Sequence, residues 1–432
     1  MTDHLDPAWL ARQRWFRSKQ RPIASVAEVD RAPLTDAAAL SVLEVAYADS
    51  GAPDRYLVPL VGNEEPADGD GAWSRLVAAM TEDAQLRASR GRFLATHTVA
   101  LDDLLPSAAT AAQALSERRM SVEQSNTSVV LGDRLVLKLY RLLEPGENPD
   151  VEISVFLSRA GFTDTPAVAG SLTYEPDAGE PAAAAMLQVF VASSGDAWAS
   201  MLHALATDPD AAIAQAAAIG RLTAAMHAAL ASRPDDGAFP ARAATVAETA
   251  VWRASAEQQL SQAVTAVSAV AHARLVALAP RLTARFADTF GTATGEARLS
   301  RIHGDYHLGQ LLARRDGGFS VIDFEGEPAR PLRERRMPSS PLRDVAGLLR
   351  SLDYAARTAE AGKHATGFAA EPWLDEARSA FLESYGDIGP GGRSLLAAFE
   401  LEKACYEVRY EANNRPDWLW LPLAAVERLA AQ

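Results

Sequence analysis

Two segments of this chain, Ile302-His303-Gly304-Asp305-Tyr306-His307-Leu308-Gly309-Gln310 and Val321-Ile322-Asp323-Phe324-Glu325-Gly326-Glu327, carry acids and amides at a spacing that suits phosphoryl transfer. That reaction needs a carboxylate to accept or orient the proton of an attacking hydroxyl, and oxygen ligands to hold magnesium on nucleotide phosphates. Asp305 is the expected base. Gln310 and Asp323 are the expected metal ligands, with Glu325 placed to reach the surroundings of the ion or a second ion. A metal-hydrolase centre built from His303, Asp305, His307 and Asp323 is the rival chemistry, but it leaves a third group of residues unused. That group is Glu123-Gln124-Ser125-Asn126-Thr127-Ser128, followed by Lys138. Small hydroxylated residues at a strand turn bring hydroxyls and backbone N–H groups to phosphates, and a lysine in the adjoining strand neutralises them. Ser125, Asn126, Ser128 and Lys138 are therefore candidate nucleotide contacts, and Glu152 on the next helix is the expected partner of Lys138.

The elements that must position these residues can be outlined from patterning. Leu40 to Ala48 and Arg55 to Val61 read as a hairpin around the turn-rich Asp49 to Asp54, and Asn63 to Gly71 reads as an exposed loop. A second hairpin joins Val129-Val130-Leu131 to Leu135 through Tyr140 across Gly132-Asp133. Glu152 to Arg159 is expected to be helical and Met186 to Val191 a strand, with a loop at Ser193-Ser194-Gly195. From Trp198 the composition turns to Ala, Leu, Gln and Arg at helical spacing, through Leu230 and again from Val251 to Phe290. One interruption, Leu311-Leu312 and Phe319 to Phe324 around Arg315-Asp316-Gly317-Gly318, predicts a β-hairpin set among helices, where loop residues can be held rigidly. The division expected is an N-terminal subdomain over 1–110, a β-rich nucleotide-binding lobe over 111–200, and a mainly helical lobe over 201–432.

At 432 residues the chain is long enough for such a multi-lobed enzyme. Its formal charge of -14 argues against nucleic acid and anionic membrane as partners and favours a small neutral or cationic substrate. Cys405 is the sole cysteine, which excludes an internal disulfide and a cysteine-rich zinc site. Charged residues interrupt Met1 to Phe16, so it lacks a secretory apolar core, and no apolar run reaches membrane-spanning length. The expectation is a cytoplasmic protein. No oligomeric state can be assigned.

Taken together, these residues resemble the aminoglycoside phosphotransferase-like, or protein kinase-like, superfamily, and within it the bacterial maltokinases and their actinobacterial relatives, some of which are glucosamine kinases. The resemblance runs through Gln13-Arg14-Trp15, Glu123 to Ser128, His303 to Gln310, and Asp323 through Arg335-Arg336 and Ser340-Pro341-Leu342-Arg343-Asp344-Val345-Ala346-Gly347 to Tyr354, ending in Tyr406-Glu407 and Tyr410 to Trp418. It implies an α+β, bilobal kinase-like fold with an additional N-terminal cap, ATP and Mg2+ as cofactors, and a small-molecule sugar or amino sugar as acceptor. It also implies adenine on the linker backbone near Gln188 to Val191, and a bracing role for Asp344 toward the catalytic loop. The metal position that is Asn in many relatives is Gln310 here, as in maltokinases. Such folds include non-catalytic pseudokinases, but the joint presence of Lys138, Asp305, Gln310 and Asp323 argues for an active enzyme.

For the sugar, the C-terminal region places Glu400, Glu407, Glu411 and Asn414 along one helical stripe before Arg415-Pro416-Asp417-Trp418-Leu419-Trp420. Aromatic faces stack on sugars and carboxylates bind hydroxyls or an ammonium, so Glu407, Glu411, Asn414 and Trp420 join Asp305 as candidate substrate contacts. The alternative is an ordinary acidic helix face, with Lys403 and Arg409 in local pairs and the tryptophans merely packed. Maltokinases usually carry Arg where Asn413 stands and a smaller residue where Trp420 stands. These departures point to glucosamine ahead of maltose, and for glucosamine the resemblance implies transfer to the 6-hydroxyl.

Overall fold

The computed structural model describes residues 5–49, 51–105, 115–120, 125–293, 295, 297–328, 330–362 and 368–431. Its contacts divide the chain into two units, one running to Ser158 and including Thr165–Val191, the other formed by Arg159–Asp164 and the chain from Ala192 onward.

In the first unit, strands β1 (Ile23–Pro33), β2 (Ala38–Tyr47) and β3 (Asp54–Val61) form an antiparallel meander. The β2–β3 hairpin turns at the Asp49–Asp54 segment, as the spacing predicts. β2 is apolar on both faces because its sheet separates two cores. Leu43 and Val45 pack with Trp15, Phe16 and Tyr56, whereas Leu40 and Val42 join Trp73 and Val77 of the Ala72–Thr81 helix.

The remaining strands of this unit make a seven-stranded antiparallel sheet. They are β4 (Gln85–Arg87), β5 (Gly91–His97), β6 (Glu117–Arg119), β7 (Thr127–Leu131), β8 (Leu135–Leu139), β9 (Val168–Pro176) and β10 (Ala182–Val189), in the spatial order β4-β5-β9-β10-β8-β7-β6. β10 begins with four alanines, which have low strand propensity. Flanking ladders to β9 and β8 impose the extended form there, which is why the pattern reveals only the end of that strand.

The second unit is mainly helical, with two small sheets. β11 (Ser193–Asp196), β14 (Leu311–Arg314) and β15 (Phe319–Val321) form one, and β12 (Arg242–Ala243) pairs with β13 (Arg298–Leu299) in the other. The expected loop at Ser193-Ser194-Gly195 is thus a strand, because the exposed edge of β14 supplies its hydrogen-bond partners. The helical stretch after Trp198 is two helices, Ala197–Thr207 and Pro209–Leu230, divided at Asp208, whose carboxylate accepts from Ala211 N–H ahead of a proline at the first helical position. Helices Val246–Ala266 and Ala269–Thr292 likewise part at Val267-Ser268. Leu342–Ala361, Ala370–Tyr385, Gly389–Asn414 and Trp420–Ala431 complete the unit. Among the described residues no helix is long and apolar enough to cross a membrane.

Candidate active site

In the first unit, the β7–β8 register sets Ser128 directly across from Lys138. Both are buried in the strand pair, and Ser125 and Asn126 lie at the bend just before it. Glu123 and Gln124 fall outside the described residues. Lys138 Nζ bonds Asp150 Oδ2 at 2.8 Å, and Tyr140 Oη donates to the same carboxylate oxygen at 3.0 Å. Asp150, two positions before the expected Glu152, is thus a partner of Lys138. Asp150 and Glu152 are two positions apart in the Pro149–Arg159 helix, a separation that turns their side chains to different faces, and it is Asp150 that faces the sheet, 1% exposed. Gln188 sits in β10 opposite Val136, and Val191 is the last residue of this unit.

The second unit holds the two segments read as catalytic. The Ile302–Gln310 loop leads into β14, and the Asp323 segment follows β15 directly. The antiparallel β14–β15 pairing therefore brings their ends together, and Gln310 Nε2 donates to Asp323 Oδ2 at 3.1 Å. Asp323 has φ +66°, a left-handed conformation that costs a non-glycine residue about 1–2 kcal/mol and concentrates at functional sites. Carboxylate oxygens of Asp323 and Glu325 lie within 4.8 Å of each other.

Asp305 is held by its neighbours. His303 accepts from Asp305 N–H through Nδ1 at 3.3 Å and donates through Nε2 to the Ile322 carbonyl at 2.9 Å, linking the loop to the metal-side segment. Asp344, in the first turn of Leu342–Ala361, accepts from His303 N at 2.8 Å, Gly304 N at 2.9 Å and His227 Nε2 at 3.1 Å. Burial works to raise the Asp344 carboxyl, but the His227 hydrogen bond and charge, with the Gly304 N–H, hold it below the ordinary carboxylate value. Two glycines permit this packing. Gly304 has φ +86°, and a Cβ on Gly347 would stand 2.6 Å from the Tyr306 carbonyl oxygen, so only glycine lets the bracing helix approach the loop this closely.

Asp305 opens onto a cavity of about 300 Å³ lined by residues including Trp252, Gln259, Glu327, Arg330, Glu402, Lys403 and Tyr406. Its size is at the small end of ligand pockets. Gln259 Oε1 is buried with no hydrogen-bond partner among the described residues, an acceptor awaiting a ligand hydroxyl or ammonium. Lys403 Nζ lies 3.6 Å from Asp305 Oδ1.

The stripe expected to hold the sugar occupies a different face of the same Gly389–Asn414 helix, where its carboxylates are ion-paired. Glu400 takes a bidentate pair from Arg378 at 2.6 and 2.8 Å. Glu407 is held by Arg350 at 2.7 Å, and Glu411 by Arg415 at 2.5 Å and the Tyr354 hydroxyl at 3.1 Å. Asn414 turns back to the Tyr410 carbonyl at 2.8 Å, and Trp420 stands 49% exposed at the start of the last helix. Glu407, Glu411, Asn414 and Trp420 do not line the cavity. The periodicity is real, but arginines claim its carboxylates: buried Arg350 and half-buried Arg378 come from other helices, which one helix's sequence cannot show, while Arg415 pairs with Glu411 locally. Sequence reasoning missed Trp252, Gln259, Glu402 and Lys403 as cavity residues. The 402/406 spacing on the helix that carries the acidic stripe was the available signal for part of this set.

Comparisons with known proteins show the family of the chain. Residues 9–88 match the model of the maltokinase N-terminal cap domain, and residues 116–382 match that of the phosphotransferase enzyme family. The chain is 32% identical over 397 residues, spanning 85% of its length and 84% of the relative's, to a glucosamine kinase of Streptacidiphilus jiangxiensis. It is 30% identical over 330 residues, 73% of its length and 80% of the relative's, to a glucosamine kinase of Mycolicibacterium smegmatis (strain ATCC 700084 / mc(2)155). Among solved structures, a glucosamine kinase in complex with glucosamine, ADP and inorganic phosphate superposes with a TM-score of 0.73 at 27% identity, covering 99% of this chain and 98% of that one. A second crystal form of a glucosamine kinase gives a TM-score of 0.76 at 26% identity, covering 100% and 99%.

Proposed function

Because this chain belongs to the phosphotransferase enzyme family, with a maltokinase-type N-terminal cap, we propose that it is an ATP-dependent sugar kinase that phosphorylates glucosamine, giving glucosamine 6-phosphate. The observation that carries the reading is Asp305, held by Asp344 and His303 at the edge of a small cavity. In the reaction the sugar hydroxyl oxygen attacks the γ-phosphorus, the bond to the β,γ-bridging oxygen breaks with its electron pair leaving on ADP, and Asp305 receives the hydroxyl proton. Lys138, kept in place by Asp150, is suited to neutralising nucleotide phosphates, and Ser125 and Asn126 precede it in the order such a loop requires.

Magnesium fits the residues present. Gln310 and Asp323 are already in contact, Glu325 adds a carboxylate near Asp323, and all three offer the hard oxygen donors the ion prefers. When bound there it would neutralise charge on the phosphate oxygens. Cytoplasmic ATP would be the phosphoryl source. The small cavity also favours glucosamine over maltose, and Gln259 offers a bare acceptor to an amino group. The test is ADP release measured over a panel of sugars and amino sugars. Catalytic efficiency highest for glucosamine, below it for glucose and lowest for maltose, is expected, whereas a preference for maltose would replace this reading with maltokinase activity, and nucleotide binding with no turnover on any sugar would make the protein a pseudokinase.

A further inference from the structure

Resting on the kinase reading above, we propose that Lys403 is a further catalytic residue, whose ammonium binds the transferring phosphoryl group as Asp305 takes the hydroxyl proton. Lys403 projects from the middle of the Gly389–Asn414 helix into the cavity that holds Asp305. Its Nζ is 3.6 Å from Asp305 Oδ1, beyond hydrogen-bonding range, and its other close contact is the face of Tyr406 at 4.8 Å. Its N–H donors therefore reach no hydrogen-bond acceptor among the described residues. The other cations on the cavity wall are engaged. Arg330 bonds Glu327 at 2.8 Å, Arg343 pairs with Glu402 at 3.0 Å, and Arg335 bonds two backbone carbonyls at 3.1 and 3.2 Å. Lys403 is thus the cavity cation with no hydrogen bond of its own among the described residues, and it stands beside the base.

Position and charge account for the role. A hydroxyl within hydrogen-bond reach of Asp305 places the attacked phosphorus at the same end of the cavity, within range of an ammonium 3.6 Å from that carboxylate. Burial opposes the charge on Lys403, but the Asp305 and Glu327 carboxylates outweigh it and keep the amine protonated. Before transfer the Asp305 carboxylate balances Lys403. As the O–P bond forms, the bridging O–P bond breaks and the proton moves to Asp305, that balance is lost, and the ammonium charge is available to the nonbridging phosphoryl oxygens. The interaction strengthens in the transition state, which is the condition for raising kcat. An amino sugar is itself cationic, so a lysine here serves it poorly as a binding group and serves the phosphoryl group well.

The test compares the parent with Lys403→Met, Lys403→Arg and Lys403→Ala, measuring kcat, both KM values and thermal midpoint. Lys403→Met is expected to lower kcat about 100- to 1,000-fold, the range for loss of one charge-stabilising donor, with KM for ATP and glucosamine nearly unchanged. Lys403→Arg should retain more kcat, and added ethylammonium should restore part of the Lys403→Ala rate in a saturable way, which a structural lysine would not allow. Unchanged kcat in Lys403→Met, a defect confined to the sugar KM, or Lys403→Ala without rescue would each overturn the role. Should Lys403→Met not fold, the rescue decides. A parent enzyme inactive on every sugar would instead refute the kinase reading itself.

Discussion

Replacing Asp344 with asparagine removes the charge that clamps the catalytic loop while leaving its shape almost unaltered. One carboxylate oxygen accepts from Gly304 N, and the other from His303 N and His227 Nε2. An asparagine has one acceptor and one donor at these positions, so in its better orientation it keeps the two bonds at one oxygen and points its NH₂ at the Gly304 N–H. That loses one hydrogen bond to a charged acceptor, about 1.5–3 kcal/mol, and leaves a buried donor unsatisfied, about 1–3 kcal/mol. Because these descriptions overlap, the expected loss of stability is about 2–4 kcal/mol, read from the shift of the urea unfolding curve. Displacing Gly304 also moves Asp305, so kcat should fall about 100-fold, the scale of an ångström-sized misplacement, with little change in nucleotide affinity. The pH dependence has a definite sign. The folded-state pKa of Asp344 is depressed, so its contribution is complete above the unfolded value of about 3.9 and is lost as pH falls through the lower folded value. Asp344→Asn should flatten that part of the acid-unfolding slope. A variant as stable and as active as the parent would refute the clamp.

Asp305→Asn should leave ATP binding nearly intact and lower turnover at least about 100-fold, as loss of a positioned base does; an active variant in single-turnover kinetics would remove Asp305 from that role. Asp323→Ala should abolish magnesium-dependent nucleotide binding, and unchanged affinity by calorimetry in saturating magnesium would place the ion elsewhere. Glu407→Gln should act on stability rather than on sugar choice. It neutralises one partner of buried Arg350 while the amide oxygen can still accept and Asp353 remains bonded to the same guanidinium, so a loss of about 1 kcal/mol is expected, the scale of one weakened hydrogen bond. The ratio of catalytic efficiencies for glucosamine and glucose should stay within about twofold, since the residue lies outside the cavity. A selective loss of glucosamine would restore the acidic stripe as the sugar site.

What the sequence determined by itself is local. The Gly-Asp loop, the turn at Arg315–Gly318 and the strand leading to Asp323 are contiguous, and hydrophobic alternation with turn chemistry suffices to pair β14 with β15 and so bring Gln310 to Asp323. The same holds for β7 and β8, which carry Ser128 and Lys138 as cross-strand partners. What only the tertiary structure decided is which side chains meet across long separations. Asp150 was brought to Lys138 by the rotation of one helix against a sheet. Arg350, 57 residues before Glu407, claims a carboxylate that looked open on a helical wheel. Lys403 and Asp305 lie nearly a hundred positions apart along the chain, and no periodicity connects them. The physical reason is that a helix's own pattern reports which faces are polar, whereas the fate of each polar group, as ion pair, clamp or ligand contact, depends on the charge that another element brings to it.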